Sequence, residues 1–468
     1  MNICFASIKK LNTLLRKKKI SVYELTNEFL KNIKKNNSKV NALIYINEKN
    51  ALRKSKFIDN LIAKKKIEVD GLVGIPVANK DTFETKSMPT TFGSKIFENY
   101  KPTFNASTVQ SMENALCVSL GKTNVPEFAA GSQSYNELFG ATKNPYDLSK
   151  TSGGSTGGGA AGLASGFYSI TDGSDFGGSL RNPASFCNVV GLRPSPGLIP
   201  VWPNKIYWFP LNVNGFMART ITDLSIALNN LQNKNKMDPM SMIQKKLDFN
   251  LLNKNKKKHK VGVFNLEKFM PIDNEVSKNF NTVKKTLRGL GHKLFSINKF
   301  NINELDEVFI KLRAYYFYIS FSGFTKKQKN MLKPSIKWNI NLGSKLTVKD
   351  LSNVEIKRNK ILSHLYEEIQ KYDFMISPVS QVLPFSYKQE FPTSINNKKM
   401  NSYLDWMKSC YLFSATSLPC LSIPSGFSKN GLPIGTQFIG KIGYDDQLLN
   451  FGREYEKETN FTKIKPNF

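Results

Sequence analysis

Two short segments depart from the rest of this chain. Residues 151–159 read TSGGSTGGG and residues 172–184 read DGSDFGGSLRNPA, in a sequence otherwise rich in Lys, Asn, Ile and Phe. Runs of glycine let a backbone turn so that several N–H groups converge on one point. Small hydroxyl residues fit the same tight space, where Lys and Ile do not. A chain carrying two such loops must hold both against rigid elements.

The flanking sequence supplies those elements. Residues 6–17 and 22–36 have the apolar spacing of amphipathic helices, and Ser21 with Glu24 makes a capping box for the second. A polar helix is predicted over 48–66. GLVGIPVANKD (71–81) reads as a short buried strand after a turn. A helix over 106–115 and a strand over 116–120 follow, then a helix over 160–167, a strand over 168–171 and a helix starting at Ser179. Residues 230–260 are low in complexity (NKNKMDPMSM, then NKNKKKHK) and read as a surface excursion, because VGVFNLEKF (261–269) restarts a strand pattern. Residues 272–320 read as helical; DFMISPV (373–379) and LPCLSIPSG (418–426) read as buried strands. Strands alternating with helices predict an α/β class with strands covered on both faces.

The 468 residues are enough to bury a sizeable core. The formal charge is +31, yet only nine of the 67 basic residues are Arg. A nucleic-acid surface favours Arg, whose planar fork grips phosphates and bases. Lys, Asn, Ile, Phe and Tyr are the residues of AT-rich codons, so the charge is read as genomic composition, and no nucleic-acid partner is expected. The five Cys form no C-x-x-C pair and the three His are scattered. No disulfide framework and no metal site are expected. No leader pattern opens the chain and no run of about 18 apolar residues occurs, so a cytoplasmic protein without a membrane span is expected.

Three motifs match by accident. Gly153–Gly157 fits the G-x-S-x-G elbow, but NPYDLSKTS before it is a polar loop instead of an apolar strand. Gly157–Gly162 fits G-x-G-x-x-G without the strand that a dinucleotide site needs. Gly121-Lys122-Thr123 ends like a P-loop, whose first glycine would fall on Leu116.

A hydroxyl nucleophile needs a base, and no His lies near either loop in sequence. Lys serves where burial lowers its pKa. Lys80 ends the strand-like run IPVANK, whereas nearly every other Lys lies in a polar stretch suited to a solvated charge. Around Ser179, the N–H groups of Phe176, Gly177, Gly178 and Ser179 are candidates to hold an oxyanion; the plainer reading is a tight turn before a helix.

Taken together, GIPVANKD, PTTFGSKIF, GKTNVPEFAAGSQSYNELFGATKNPYDLSKTSGGSTGG, DGSDFGGSLRNPASFCNVVGLRPSPG, MARTITDLSIAL and YLDWMKSCYLFSATSLPCLSIPSGF with GLPIGTQFIG resemble the amidase signature family over nearly the whole chain. The resemblance implies one large domain, residues 1–468, with a central twisted mixed sheet between helical layers. Its parts would be an N-terminal helical region (1–66), a signature core (67–230), a variable pocket region (231–345) and a C-terminal completion of the sheet (346–468). It implies a Ser–cis-Ser–Lys triad: Lys80 as base, Ser155 as the bridging hydroxyl after a cis peptide bond, Ser179 as nucleophile. It places the oxyanion donors on Phe176, Gly177, Gly178 and Ser179, and substrate contacts at Ala129, Gly131 and Ser132. Thr156 stands where many relatives have a second Ser and is expected to support the site by a hydrogen bond. Asn79 replaces the usual aliphatic residue before the base and puts a polar group beside Lys80. Asp175 and Arg181 either brace the loop or form an ordinary surface pair. The chemistry implied is hydrolysis of an amide C–N bond through an acyl-enzyme, with a small-molecule amide as substrate and no cofactor.

Within the family, LRNPASFCNVVGLRPSPGLIP and YLDWMKSCY favour a stand-alone amidase. The acidic residue expected to hold the ammonium of glutamine is replaced near Met407, and Arg358 is either a carboxylate partner or a helix-surface residue. The alternatives are the glutaminase subunit of a tRNA-dependent amidotransferase and a non-catalytic scaffold, the latter opposed by Lys80, Ser155 and Ser179 occurring together. The acyl pocket is expected around 129–133, 310–345 and 405–415, with Phe139, Tyr315, Tyr316, Phe317 and Trp406 as apolar candidates. A homodimer is expected from family habit.

Overall fold

The computed structural model describes residues 2–250, 257–297 and 302–467. Two helices, α1 (Ile8–Arg16) and α2 (Val22–Val40), open the chain, and the Ser21–Glu24 capping box is present at the start of α2. Leu25, Phe29, Leu30 and Ile33 recur at helical spacing along α2 and are fully buried. Each such side chain contributes roughly 1.5–3 kcal/mol. Helix α3 (Glu48–Ala63) follows the first strand, β1 (Leu43–Ile46).

Ten more strands complete one sheet: β2 (Pro76–Lys80), β3 (Val118–Thr123), β4 (Ile170–Asp175), β5 (Val190–Arg193), β6 (Val213–Ala218), β7 (Lys260–Phe264), β8 (Lys293–Ile297), β9 (Phe374–Pro378), β10 (Cys420–Phe427) and β11 (Pro433–Ile439). Their spatial order is β1-β3-β2-β4-β6-β5-β10-β11-β9-β7-β8. The sheet is mixed: β2 runs parallel to β3 and β4, and β7 parallel to β8 and β9, while antiparallel pairs join these groups. Strands β2, β9 and β11 are buried along their full length, as strands with helices on both faces must be.

Helix α4 (Ser107–Asn114) precedes β3, α5 (Gly157–Ala164) precedes β4, and the short α6 (Asn182–Phe186) follows β4. Helix α5 starts on three glycines, poor helix formers. Close packing demands them: a Cβ at Gly158 would stand 2.4 Å from Asn124 N and 2.6 Å from Ala42 O. A large apolar cluster joins α1 and α2 to the sheet and to the helix Asp445–Thr459. A second lies under the helices Ile302–Ser320 and Val348–Ile369 and contains Phe309, Leu312, Leu365 and Trp406.

One expectation is corrected. The stretch 272–320 is not continuously helical: helix Asn274–Gly289 is followed by β8, an edge strand, before helix Ile302–Ser320 begins. Strand β8 pairs on one side only and is mostly exposed, so it lacks the alternation that marks a half-buried strand. The excursion at 230–260 is tied down where described: Phe249 is buried and Gln232 exchanges two hydrogen bonds with Leu247. Residues 251–256 of that stretch lie outside the described residues.

Candidate active site

Strand β2 delivers Lys80. Gly74, at φ +74°, makes the turn before it; a Cβ there would meet the Val22 side chain at 2.7 Å. Flanked by β3 and β4, the end of β2 is sealed from solvent, and Lys80 is 0% exposed. Its Nζ lies 2.8 Å from Ser155 Oγ and 3.0 Å from Ser174 Oγ. Burial pushes its pKa down to about 7, against the pull of the nearby Asp175 and Asp172 carboxylates. Desolvation disfavours the ammonium, so this lysine is poised between base and acid near neutrality.

Asp172, on β4, accepts from the Lys80 backbone N–H (2.6 Å), from Asn79 Nδ2 (3.0 Å) and from Thr108 Oγ1 (3.1 Å). Asn79, the unusual residue before the lysine, therefore binds Asp172, and its Oδ1 accepts from Ser119 Oγ at 2.6 Å. It holds the partner of the lysine's backbone and makes no hydrogen bond to the lysine's amine.

The peptide bond Gly154–Ser155 is cis. The Gly154 carbonyl accepts from Ser132 Oγ at 2.8 Å, and Ser132 Oγ accepts from Asn182 Nδ2 at 2.6 Å. Ser132 thus secures the loop that carries Ser155. Thr156 departs from expectation: its Oγ1 is buried without a hydrogen-bond partner among the described residues. Support comes from its backbone, whose N–H donates to the Ser179 carbonyl at 3.3 Å.

The loop from Asp175 to Arg181 is organised by one carboxylate. Asp175 accepts from Gly178 N (2.8 Å), Leu180 N (3.2 Å), and Arg181 Nε and Nη2 (both 3.0 Å). Arg193 adds a contact at 3.4 Å and donates to the Asp175 carbonyl at 2.6 Å. Asp175, Arg181 and Arg193 are all fully buried, so the pair braces the loop and is not a surface pair. Burial alone would raise the Asp175 pKa; the two guanidiniums and the N–H donors outweigh it and hold the carboxyl below its ordinary range. The Gly178 N–H is therefore occupied, a correction to the four-donor oxyanion array. The N–H groups of Phe176, Gly177 and Ser179 have no partner among the described residues. Gly178 itself is required: at φ +115°, a Cβ would stand 2.5 Å from Cys410 Cβ.

Ser155, Ser174 and Ser179 open onto one cavity of about 200 Å³. Its walls include Phe128, Ala129, Phe176, Arg313, Tyr316 and Phe317. Phe128 and Ala129 both take positive φ (48° and 55°), uncommon for residues with a Cβ, and this turn presents Ala129 to the cavity. Gly131, Ser132, Gln133 and Trp406 line a neighbouring cavity of about 550 Å³ instead. Phe139 and Tyr315 line neither cavity. Arg358 does not reach the site: it donates to the Ala415 carbonyl and to Ser417 Oγ, with Glu355 at 3.8 Å.

Sequence reasoning missed Ser174, Asp172 and Arg313. The first two had only a partial signal: Asp172 and Ser174 stand two apart in a strand and so share a face, but that this strand lies beside β2 is not encoded locally. It also missed that Lys80 is not the sole buried lysine. Lys122 is fully buried beside Asp81, where it donates to Thr85 (3.1 Å) and Thr90 (3.0 Å). Lys333 bonds the Ala130 carbonyl, and burial brings its pKa down to about 8.

The amidase family pattern matches residues 24–449. The chain belongs to the amidase family. Amidases of this family act on amide C–N bonds, and this chain is an enzyme of that class. Among curated relatives, a glutamyl-tRNA(Gln) amidotransferase subunit from Caldanaerobacter subterraneus subsp. tengcongensis is 31% identical, with 98% of each chain covered. Among solved structures, a bacterial aryl acylamidase of the amidase signature family superposes with a TM-score of 0.91 at 22% identity, covering 98% of both chains. The corresponding glutamyl-tRNA(Gln) amidotransferase subunit from Thermotoga maritima superposes with a TM-score of 0.78 at 28% identity, covering 98% of this chain and 95% of that one. No helix among the described residues is long and apolar enough to cross a membrane.

Proposed function

We propose that this amidase releases ammonia from a small carboxamide through an acyl-enzyme on Ser179. The observation that carries the reading is the fully buried Lys80 amine, 2.8 Å from Ser155 Oγ with its pKa brought down to about 7. Neutral Lys80 takes the Ser155 proton as Ser155 takes that of Ser179. Ser179 Oγ attacks the carbonyl carbon, and the oxyanion forms toward the free N–H groups of Phe176, Gly177 and Ser179. Each such donor supplies about 3–4 kcal/mol at most of transition-state stabilisation. The proton returns through Ser155 to the leaving nitrogen, the C–N bond breaks, and ammonia departs. Water then attacks the ester carbonyl; its proton passes through Ser155 to Ser179 Oγ as the acyl C–O bond breaks and the carboxylic acid departs. Ala129 is the substrate contact we retain on the catalytic cavity; Gly131 and Ser132 act from behind the Ser155 loop.

At the level of partners, the reading best supported is the glutaminase subunit of a glutamyl-tRNA(Gln) amidotransferase, since the curated relatives bearing that enzyme's name align over nearly their full lengths. The preference for a stand-alone amidase read from the sequence becomes the second reading. A specific observation favours it: Met407 is buried, with its methyl 3.8 Å from where a Gly177 Cβ would stand, so a thioether fills the place where an acid was expected. The five buried free thiols fit a reducing compartment, the cytoplasm. Ammonia release by the purified chain separates the readings. Turnover of glutamine that requires added partner subunits and tRNA supports the first; turnover of simple amides by the chain alone supports the second.

A further inference from the structure

Among the described residues, Arg313 is the one guanidinium in the wall of the catalytic cavity. It lies on helix Ile302–Ser320 and is 5% exposed. Its Cζ stands 5.5 Å from the ring centre of Phe176, 4.4 Å from that of Phe317 and 5.7 Å from that of Tyr403. Phe176 is three residues from Ser179, so the guanidinium packs directly on the nucleophile loop. Its Nε and Nη2 donate to Tyr403 Oη at 3.1 and 3.0 Å. Asn339 Nδ2, 2.7 Å from the same oxygen, fixes that phenol in turn.

What is absent is a counter-charge. Among the described residues no carboxylate forms an ion pair with Arg313, and its Nη1 has no hydrogen-bond partner. The other buried guanidiniums of the site show the contrast: Arg181 and Arg193 share Asp175. Lys333, in the neighbouring cavity, has Glu127 and Glu390 nearby. Glu84 also lines the catalytic cavity; burial raises its pKa, and it forms no ion pair with Arg313 among the described residues. A buried charge without a partner is costly, and natural sites pair it.

We infer that Arg313 is the seat of a carboxylate on the substrate, so that the amides hydrolysed here are small acids carrying a carboxamide. The unpartnered Nη1 edge leaves N–H donors for the cavity, the geometry that suits a carboxylate. Tyr403 and Asn339 hold the other edge and orient the fork. The aromatic rings on its flanks exclude water and strengthen the pairing. This rests on Ser179 as the nucleophile; it narrows the substrate class under the stand-alone reading and assigns the carboxylate of glutamine its seat under the glutaminase reading.

The test compares succinamic acid and glutamine with the neutral butyramide, using the full chain, with partner subunits and tRNA where turnover needs them. The wild type should prefer the acids over butyramide by at least tenfold in kcat/KM. Arg313→Met should cut that preference by at least tenfold, chiefly through KM, and Arg313→Lys should restore part of it. The same acids should bind Ser179→Ala by calorimetry and bind at least tenfold more weakly when Arg313→Met is added. Equal losses on acid and neutral amides would assign Arg313 a purely structural role and overturn the inference, as would a wild type indifferent to the carboxylate. If Ser179→Ala retains turnover, the reading of the nucleophile fails; calorimetry on the Arg313 variants still decides the carboxylate seat.

Discussion

Burial lowers the pKa of Lys80, and that has two measurable consequences. Its ordinary pKa of 10.5 falls to about 7 on burial. The amine is the base, so kcat/KM should rise about tenfold per pH unit below 7 and level off above it. Stability follows the same titration. Below pH 7 the lysine is charged in both folded and unfolded chains, and the folded chain bears the desolvation cost. Between 7 and 10.5 the unfolded chain binds the extra proton, so stability rises with pH. Lys80→Met should remove this rise in urea denaturation between pH 7 and 10, and should lower activity by about 10²–10⁴-fold. A rise that persists in the variant would place the titration elsewhere. Much of this residue's role was legible, because a lysine at the end of an apolar strand is unusual. Its second contact, Ser174, was not: the pairing depends on β4 lying beside β2, a juxtaposition no local pattern encodes.

The nucleophile loop shows how an element takes its shape from one buried charge. Asp175 gathers two backbone N–H groups and two guanidiniums, so the loop is set before any substrate arrives. Asp175→Ala leaves Arg181 and Arg193 without that partner and should cost about 3–5 kcal/mol in urea denaturation at pH 7. The native carboxyl titrates below its ordinary 3.8, so its stabilisation is present above that value and is lost as pH falls through the folded pKa. The gap between wild type and variant should therefore close in strong acid. Gly178→Ala must shift the Cys410 side chain or the loop, and should lose about 1–3 kcal/mol together with most activity. The glycine run announced a tight loop in the sequence. Which N–H groups it leaves free was not readable, because Gly178 donates its own to Asp175, an acid whose burial comes from strands far along the chain.

At the scale of the molecule, the mixed sheet brings together residues that the chain keeps far apart. Lys80, Ser155 and Ser179 come from one half, while Arg313, Met407 and Cys410 close the site from the other. The alternation of strands and helices made the class legible, and the short apolar runs marked β2, β3, β4, β7, β9 and β10, while β1, β5, β6 and β11 went unread. The edge strand β8 hid inside a helical stretch because it buries little. Lys122 and Arg313 were equally hidden: each stands in a largely apolar run, CVSLGKT and FIKLRAYYF, and only distant elements decide that its charged end is enclosed. Amide hydrolysis by Ser179 is the claim on which the rest depends. Its most direct measurement is intact-mass and peptide analysis of enzyme acid-quenched during turnover of a small amide. An acyl adduct is expected on the peptide containing Ser179, lost in Ser179→Ala together with at least about 10⁴-fold of the activity. An adduct on another residue, or turnover undiminished in Ser179→Ala, would contradict it.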